Sequence, residues 1–229
     1  MKRMRQSDEE LRDLYRNDYV HRYHQKDRGR LTRLLPYMDL GPEMVVADLG
    51  CGNGLLLELT HDRVGKYHGV DFSSEFIEEA RRRQAQAGIR NASFHVESIT
   101  EFCDRNDGAL DRVFALDFAE HVYDEDLIPI AASIRRSLRE GGRLYIHTPN
   151  LTFFLEFLKD KGICRQLPEH VAVRSADQYV SLLRGVGFKE VKVVYLPHYL
   201  RTLSWLHGFS SVPVVGKYLK ARLFFECLA

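Results

Sequence analysis

Three observations predict an α/β fold built on a mainly parallel sheet. Short apolar runs of strand length alternate along the chain with segments of helical periodicity. One of these runs, Met44 to Leu49, leads at once into Gly50-Cys51-Gly52-Asn53-Gly54 and then into the leucine-rich Leu55 to Leu59, which is the order strand, glycine turn, helix. No internal repeat or low-complexity tract points to any other architecture.

The elements follow in order. Ser7 and Glu10 have capping-box spacing, and Leu11, Tyr15, Tyr19 and Tyr23 recur every four residues, so the chain is expected to open on a helix with three tyrosines along one face. A second short helix carries Leu31, Leu34, Leu35 and Met38 and breaks at Gly41-Pro42. After the glycine turn, Tyr67 to Asp71 reads as the second strand. Ser73 or Ser74 caps a helix through Ala87, supported by Glu78 with Arg82 and Glu79 with Arg83 and stopped by Gly88. Ser93 to Val96 is the third strand and Arg112 to Leu116 the fourth. The next helix, with Leu127, Ile130, Ile134 and Leu138 on one side, is expected to run to Gly141-Gly142, and Arg143 to His147 is the fifth strand. Leu151 to Ile163 is apolar and aromatic and belongs to no simple βαβ unit, either a substrate cap or ordinary packing. Ser175 and Gln178 form a second capping box, opening a helix that ends at Gly185 or Gly187. Lys189 to Leu196 alternates like a strand, and Ala221 to Leu228 supplies one more.

The 229 residues, 45% hydrophobic and 28% charged, suffice for one sizeable core. A single domain is therefore expected over 1–229, with an N-terminal helical lid (1–42), a cofactor-binding core (43–150), a substrate-cap insert (151–174) and a final part (175–229) of helix, last strands and amphipathic insert. A formal net charge of +1 gives no overall field favouring nucleic acid. Cys51, Cys103, Cys164 and Cys227 are widely spaced and form no CxxC pair, so neither a disulfide framework nor a metal site is expected. The basic amino terminus lacks a following apolar region, and no stretch approaches the ~18 apolar residues of a membrane span. A cytoplasmic location is the expectation, with the inner face of a membrane as its variant.

A parallel sheet places its ligand at the carboxyl ends of its strands, where the glycine loop sits. Gly50, Gly52 and Gly54 let the backbone turn tightly and approach a ligand closely. Asp71 ends the second strand, where a carboxylate can accept hydrogen bonds from both hydroxyls of an unphosphorylated ribose. The dinucleotide pattern G-x-G-x-x-G would need a glycine where the chain has Leu55, which makes an NAD enzyme the lesser reading.

The ordered set DLGCGNG, GVD, LDFAEHV, REGGRLYIHTPN and RGVGF, from about Val45 to Phe188, resembles the successive motifs of class I methyltransferases dependent on S-adenosylmethionine (SAM), most of all the ubiquinone-biosynthesis O-methyltransferase group and its small-molecule and sugar-modifying relatives. The resemblance implies a Rossmann-like, seven-stranded, mostly parallel sheet with helices on both faces and an antiparallel last strand, and SAM as cofactor. Asp48, Gly50, Cys51, Gly52, Gly54, Asp71, Phe72, Glu97, Ser98, Ile99 and Asp117 are expected to face that cofactor. Asp48 would hold the amino group and Phe72 cover the adenine. The acidic residue the family often places after its third strand falls on Ser98, beside Glu97, and either could take the adenine role. The proline of the family's usual PGG turn is Glu140 here.

Methyl transfer to an alcohol or phenol benefits from a proton acceptor, worth about 10² to 10⁴ in rate. His121 follows the fourth strand and is the first candidate, with lining the cofactor pocket as its alternative. His170, in the insert beyond the fifth strand, is the second. His147 lies within a strand and reads as structural. His21 and His24 fall on the opening aromatic helix, where Tyr15, Tyr19 and Tyr23 read as packing, and none of these histidines forms a metal-ligand set.

Between Glu190 and Glu226 there is no acidic residue, yet Lys192, Arg201, Lys217, Lys220 and Arg222 alternate with Tyr199, Leu200, Leu203, Trp205, Leu206 and Phe209. The stretch from Lys192 to Phe225 is expected to meet an anionic membrane surface, the alternatives being a substrate lid or a subunit contact. The functional expectation is SAM-dependent O-methylation of a hydrophobic or lipid-linked small molecule, a quinone precursor or glycan end. N- or C-methylation and a non-catalytic SAM-binding or membrane-docking module are the rivals.

Overall fold

The computed structural model describes residues 28–229. The expected opening helix, with Ser7, Glu10, Tyr15, Tyr19, Tyr23, His21 and His24, lies outside the described residues. The strands are β1 (Val45–Leu49), β2 (Lys66–Asp71), β3 (Ala92–Val96), β4 (Leu110–Leu116), β5 (Leu138–Pro149), β6 (Glu190–Leu196) and β7 (Arg222–Leu228). They form one sheet in the order β3-β2-β1-β4-β5-β7-β6. β1 runs parallel to β2 and β4, and β2 parallel to β3, whereas β7 is antiparallel to both β5 and β6. The expected seven-stranded, mostly parallel sheet is therefore present.

The described helices are α1 (Arg28–Thr32), α2 (Leu55–Thr60), α3 (Ser74–Gln86), α4 (Ile99–Arg105), α5 (Asp124–Ser137), α6 (Phe154–Asp160), α7 (Ala176–Gly185) and α8 (Arg201–Ser204), with short 3-10 turns between them. Local signals set several of their ends. The Ser73 hydroxyl accepts from Phe76 N–H at the start of α3, and Ser175 with Gln178 caps α7 reciprocally, contacts worth about 1 kcal/mol each.

The chain divides into two compact units, one comprising residues up to Phe114 with Arg136–Gly142, the other Ala115–Arg135 with Arg143–Ala229. In the first, Leu31, Leu34 and Met38 are buried as the apolar spacing foretold, although the expected helix is split into α1 and a 3-10 turn at Leu35–Tyr37. Phe94 forms a wedge there. A Cβ on Gly69 would fall 2.4 Å from its ring, and one on Gly54 would fall 3.1 Å from it, so two glycines make room for one aromatic side chain.

Three expectations are corrected. Helix α5 ends at Ser137, not at Gly141-Gly142, because β5 begins directly at Leu138; the two glycines lie inside the strand, Gly141 with φ 75° and Gly142 against the carbonyls of Arg139 and Leu110. Arg82 pairs with Glu79 and not with Glu78, so Glu79 serves both Arg82 and Arg83, and Arg83 also reaches Glu58 at 3.0 Å. The stretch from Lys192 to Phe225 is not one surface segment, since β6 takes its first residues and β7 its last.

Candidate functional site

In the first unit the site is built on the exit of β1. The amides of Gly50 and Cys51 both donate to Val70 O, at 2.8 and 3.0 Å, which ties the glycine loop to β2. Gly54 has φ 74°, a conformation that side-chain-bearing residues adopt at a cost, and it stands at the start of α2. The Asp71 carboxylate accepts from Gly52 N–H at 2.9 Å and from Ser73 N–H at 3.0 Å, so it braces the loop and its own turn. Burial raises its pKa, opposed by these backbone bonds. The backbone N–H of Phe72 bonds to this carboxylate as well.

Asp48 is buried at the end of the same strand and accepts from Tyr67 Oη–H at 2.6 Å. Burial pushes its pKa up to about 7, the Tyr67 bond acting against this and the nearby Asp71 adding to it. Tyr67 is neutral and supplies no counter-charge, so a cationic amino group delivered here would be held by a carboxylate that its arrival helps to ionise. Cys51 is buried too, its thiol raised by burial and by the two aspartates. Phe72 is half exposed and Ile99 half buried at the start of α4. Ser98 and Glu97 are both engaged within the chain: Ser98 caps α4 with Glu101, and Glu97 accepts two bonds from Arg105 at 2.5 and 2.7 Å, which hold its carboxyl below the usual range.

The second unit holds the remaining expected residues. Asp117, with φ 53°, donates its N–H to His147 O at 2.7 Å, and its Oδ1 lies 2.9 Å from His147 Nδ1. It also pairs with Arg222, which donates to Tyr199 Oη at 2.5 Å. Expected to face the cofactor, Asp117 is thus bonded to three side chains of its own unit. His147 is fully buried, consistent with its structural reading. Arg222, expected to face lipid, is a correction: it is buried against Asp117.

Glu120, His121 and His170 come together here although the last is remote in sequence. Ala119–His121 is a 3-10 turn after β4. His121 Nδ1 lies 2.8 Å from the carbonyl oxygen of Glu169, which can only accept. Nδ1 therefore carries the proton, and in the neutral ring Nε2 carries the lone pair. His170 packs edge-on against His121 with ring centres 5.2 Å apart, and burial, then the charges of His121 and Arg222, lower its pKa to about 3. Such a ring is a poor proton acceptor, which favours His121. Glu120 is buried, its pKa raised chiefly by burial, and it accepts from Thr148 Oγ1 at 3.1 Å.

Glu120, His121 and His170 each offer a ligand atom within 4.8 Å of the others, so this trio could hold a metal ion. The expectation of no metal-ligand set considered residues near in sequence and did not foresee this grouping. Arg174 was also missed. It is buried and donates to Ala119 O at 2.7 Å, Val122 O at 2.6 Å, Ala172 O at 3.0 Å and Asp124 at 2.6 Å, so it clamps both ends of the turn that carries His121. No periodicity or motif in the sequence marks it.

This geometry has a defined class. A family model described as "Methyltransferase domain" matches residues 46–142, the stretch that runs from β1 and the glycine loop through β4. Among curated proteins it is 30% identical over 128 residues to a ubiquinone biosynthesis O-methyltransferase of Xanthomonas euvesicatoria pv. vesicatoria, covering 54% of this chain and 52% of that protein. It is also 30% identical over 142 residues to the protein of that name in Xanthomonas oryzae pv. oryzae, covering 61% and 58%. The chain thus spans a little over half the length of the relatives it matches. Solved structures share the fold. A SAM dependent methyltransferase from Archaeoglobus fulgidus superposes with a TM-score of 0.64 at 20% identity, covering 88% of this chain and 92% of that one. A geranyl diphosphate C-methyltransferase from Streptomyces coelicolor, in complex with Mg2+, geranyl diphosphate and S-adenosylhomocysteine, does so with 0.65 at 18%, covering 90% and 80%.

Proposed function

We propose that the protein is a SAM-dependent methyltransferase acting on an oxygen of a hydrophobic or lipid-linked small molecule. The observation that carries the oxygen assignment is the His121 ring, whose proton sits on Nδ1 against Glu169 O and whose Nε2 can accept another. In this reading the glycine loop, with Gly50, Gly52 and Gly54, lets the backbone approach the cofactor, and Cys51, Phe72, Glu97, Ser98, Ile99 and Asp117 complete the set assigned to it. Asp71 holds the ribose hydroxyls and Asp48 the amino group. Bound SAM supplies a methyl group activated on a sulfonium. With that group bound, an acceptor hydroxyl would give its proton to His121 Nε2 as its oxygen took the methyl group, with S-adenosylhomocysteine as the other product. Glu169 keeps the ring in the useful tautomer, and His170 packs beside it.

The names of the matched relatives support the ubiquinone-precursor variant of this acceptor, a catechol or phenol with an apolar tail. The experiment is incubation of the full chain with radiolabelled SAM and a fractionated cell extract, followed by analysis of the labelled product. Label in a lipid-extractable methyl ether is expected, with His121→Ala abolishing most of it. A labelled N- or C-methyl product, made equally well by that variant, would refute the oxygen reading. SAM binding without label in any fraction would refute catalysis.

A further inference from the structure

We propose that residues 197–221, the segment between β6 and β7, dock the protein on an anionic lipid surface without crossing it. This stands independently of the methyltransferase reading. No helix of the described residues is long and apolar enough to span a membrane. Instead the segment folds into short pieces: α8, a 3-10 turn at Trp205–Phe209 and another at Gly216–Leu219. Gly216 lies so close to Ser210 that a Cβ would fall 2.2 Å from Ser210 O, and its N–H donates to Val212 O at 2.8 Å. The two turns are pinned together, and the Val212–Val215 tip projects between them.

At its base the segment is held by neighbours in its own unit. Asn150 Nδ2 donates to Lys220 O at 2.8 Å, and Tyr199 Oη accepts from Arg222. What it presents is apolar. Leu200, Trp205, Phe209, Val212, Val214 and Val215 are all exposed, Trp205 at 61% and Val214 at 83%. Other large apolar groups are exposed elsewhere, Phe72 and Ile163 among them, but six fall together in this one short segment, and such a patch marks an interaction surface.

Its charge selects the partner. Every ionisable side chain of 197–221 that carries full charge at neutral pH is cationic, namely Arg201, Lys217 and Lys220, and the nearest acids in sequence are Glu190 and Glu226. A second copy of the chain bringing the same patch would set cation against cation across the contact. An anionic headgroup layer instead meets the lysines while the valines and aromatic rings enter its boundary, where tryptophan is favoured. Each Lys or Arg near such a surface strengthens binding about fivefold, so Lys217 and Lys220 together contribute about 25-fold, diminishing with salt.

Trp205 is the sole tryptophan of the chain and reports on the patch directly. The full chain is titrated with vesicles of phosphatidylcholine and with vesicles of equimolar phosphatidylcholine and phosphatidylglycerol, at low and high salt, reading Trp205 emission and co-sedimentation. Emission should move to shorter wavelength, and lose access to an aqueous quencher, only with the anionic vesicles. High salt should reverse both changes. Lys217→Glu with Lys220→Glu should weaken binding at least about 25-fold. Val214→Asp should weaken it while leaving far-UV circular dichroism unchanged, so that loss of folding is distinguished from loss of docking. The proposal is overturned by equal binding to neutral vesicles, by unchanged emission and soluble protein with both, or by lipid-free dimerisation that buries Trp205, which would assign the patch to a second copy.

Discussion

Replacing Asp48 by asparagine should make the protein more stable at neutral and alkaline pH. Asp48 is buried, its one neutral donor is Tyr67, and its pKa is raised from 3.8 to about 7 chiefly by burial. In the unfolded chain the carboxyl ionises near its ordinary value, so between these limits the folded state binds the extra proton. Stability must then fall as pH rises across that window, by up to about 4 kcal/mol in total. Asparagine has nearly the same shape, can accept from Tyr67 and never ionises. The stability difference between Asp48→Asn and wild type should therefore grow by about 3 kcal/mol from pH 5 to pH 8 and level off above. Urea unfolding of both proteins over that range measures it, and taking the difference cancels other groups that titrate alike in both. Saturating SAM should narrow the gap at pH 8, because the wild-type carboxylate gains a cationic partner that the variant cannot hold. A difference flat with pH, or wild type the more stable at pH 8, would refute the assignment of the pKa and of its cause.

Asp71→Ala should weaken SAM binding by at least tenfold in calorimetry, since bonds to a charged group are worth about 1.5 to 3 kcal/mol each and the glycine loop loses its brace at Gly52 as well. His121→Ala should lower kcat by roughly 10² or more while leaving the Kd for SAM within a few fold, read by single-turnover kinetics and calorimetry. Arg174→Met should lower stability by about 2 to 5 kcal/mol in thermal unfolding, because the carbonyls of Ala119 and Val122 lose their donor. Gly69→Ala should cost about 1 to 3 kcal/mol by overpacking against Phe94, and adding Phe94→Leu should recover part of it.

Features written in neighbouring residues were legible in the sequence. β1 with its glycine turn, the Ser73 cap and the Ser175–Gln178 box each need only a few adjacent side chains, and each formed as expected. Where a distant partner decides, the local reading failed. Gly141-Gly142 looks like a helix stop, but strand pairing begins at Leu138 and absorbs both glycines. Arg222 sits in an acid-free stretch and reads as a surface cation; the Asp117 that neutralises it is 105 residues away. Glu79 meets both arginines, and Arg83 also reaches Glu58, a contact no helix periodicity reveals. The same limit hid the grouping of His170 with His121 and the clamp by Arg174.

Those hidden contacts alter what the insert after β5 means. Read from composition, residues 151–174 are either a cap over substrate or packing. In the structure the insert supplies Glu169 O, which fixes the tautomer of His121, and Ala172 N–H, which donates to Glu120 O at 3.1 Å. Arg174, its last residue, bonds the carbonyls on both sides of the same turn. An insert that only admitted substrate could be exchanged for another with a change of specificity alone. One that also sets which nitrogen of His121 holds the proton cannot be exchanged without loss of the proton acceptor. On the proposed mechanism, therefore, acceptor choice and base orientation are carried by one stretch of chain, and substitutions there should alter kcat together with KM.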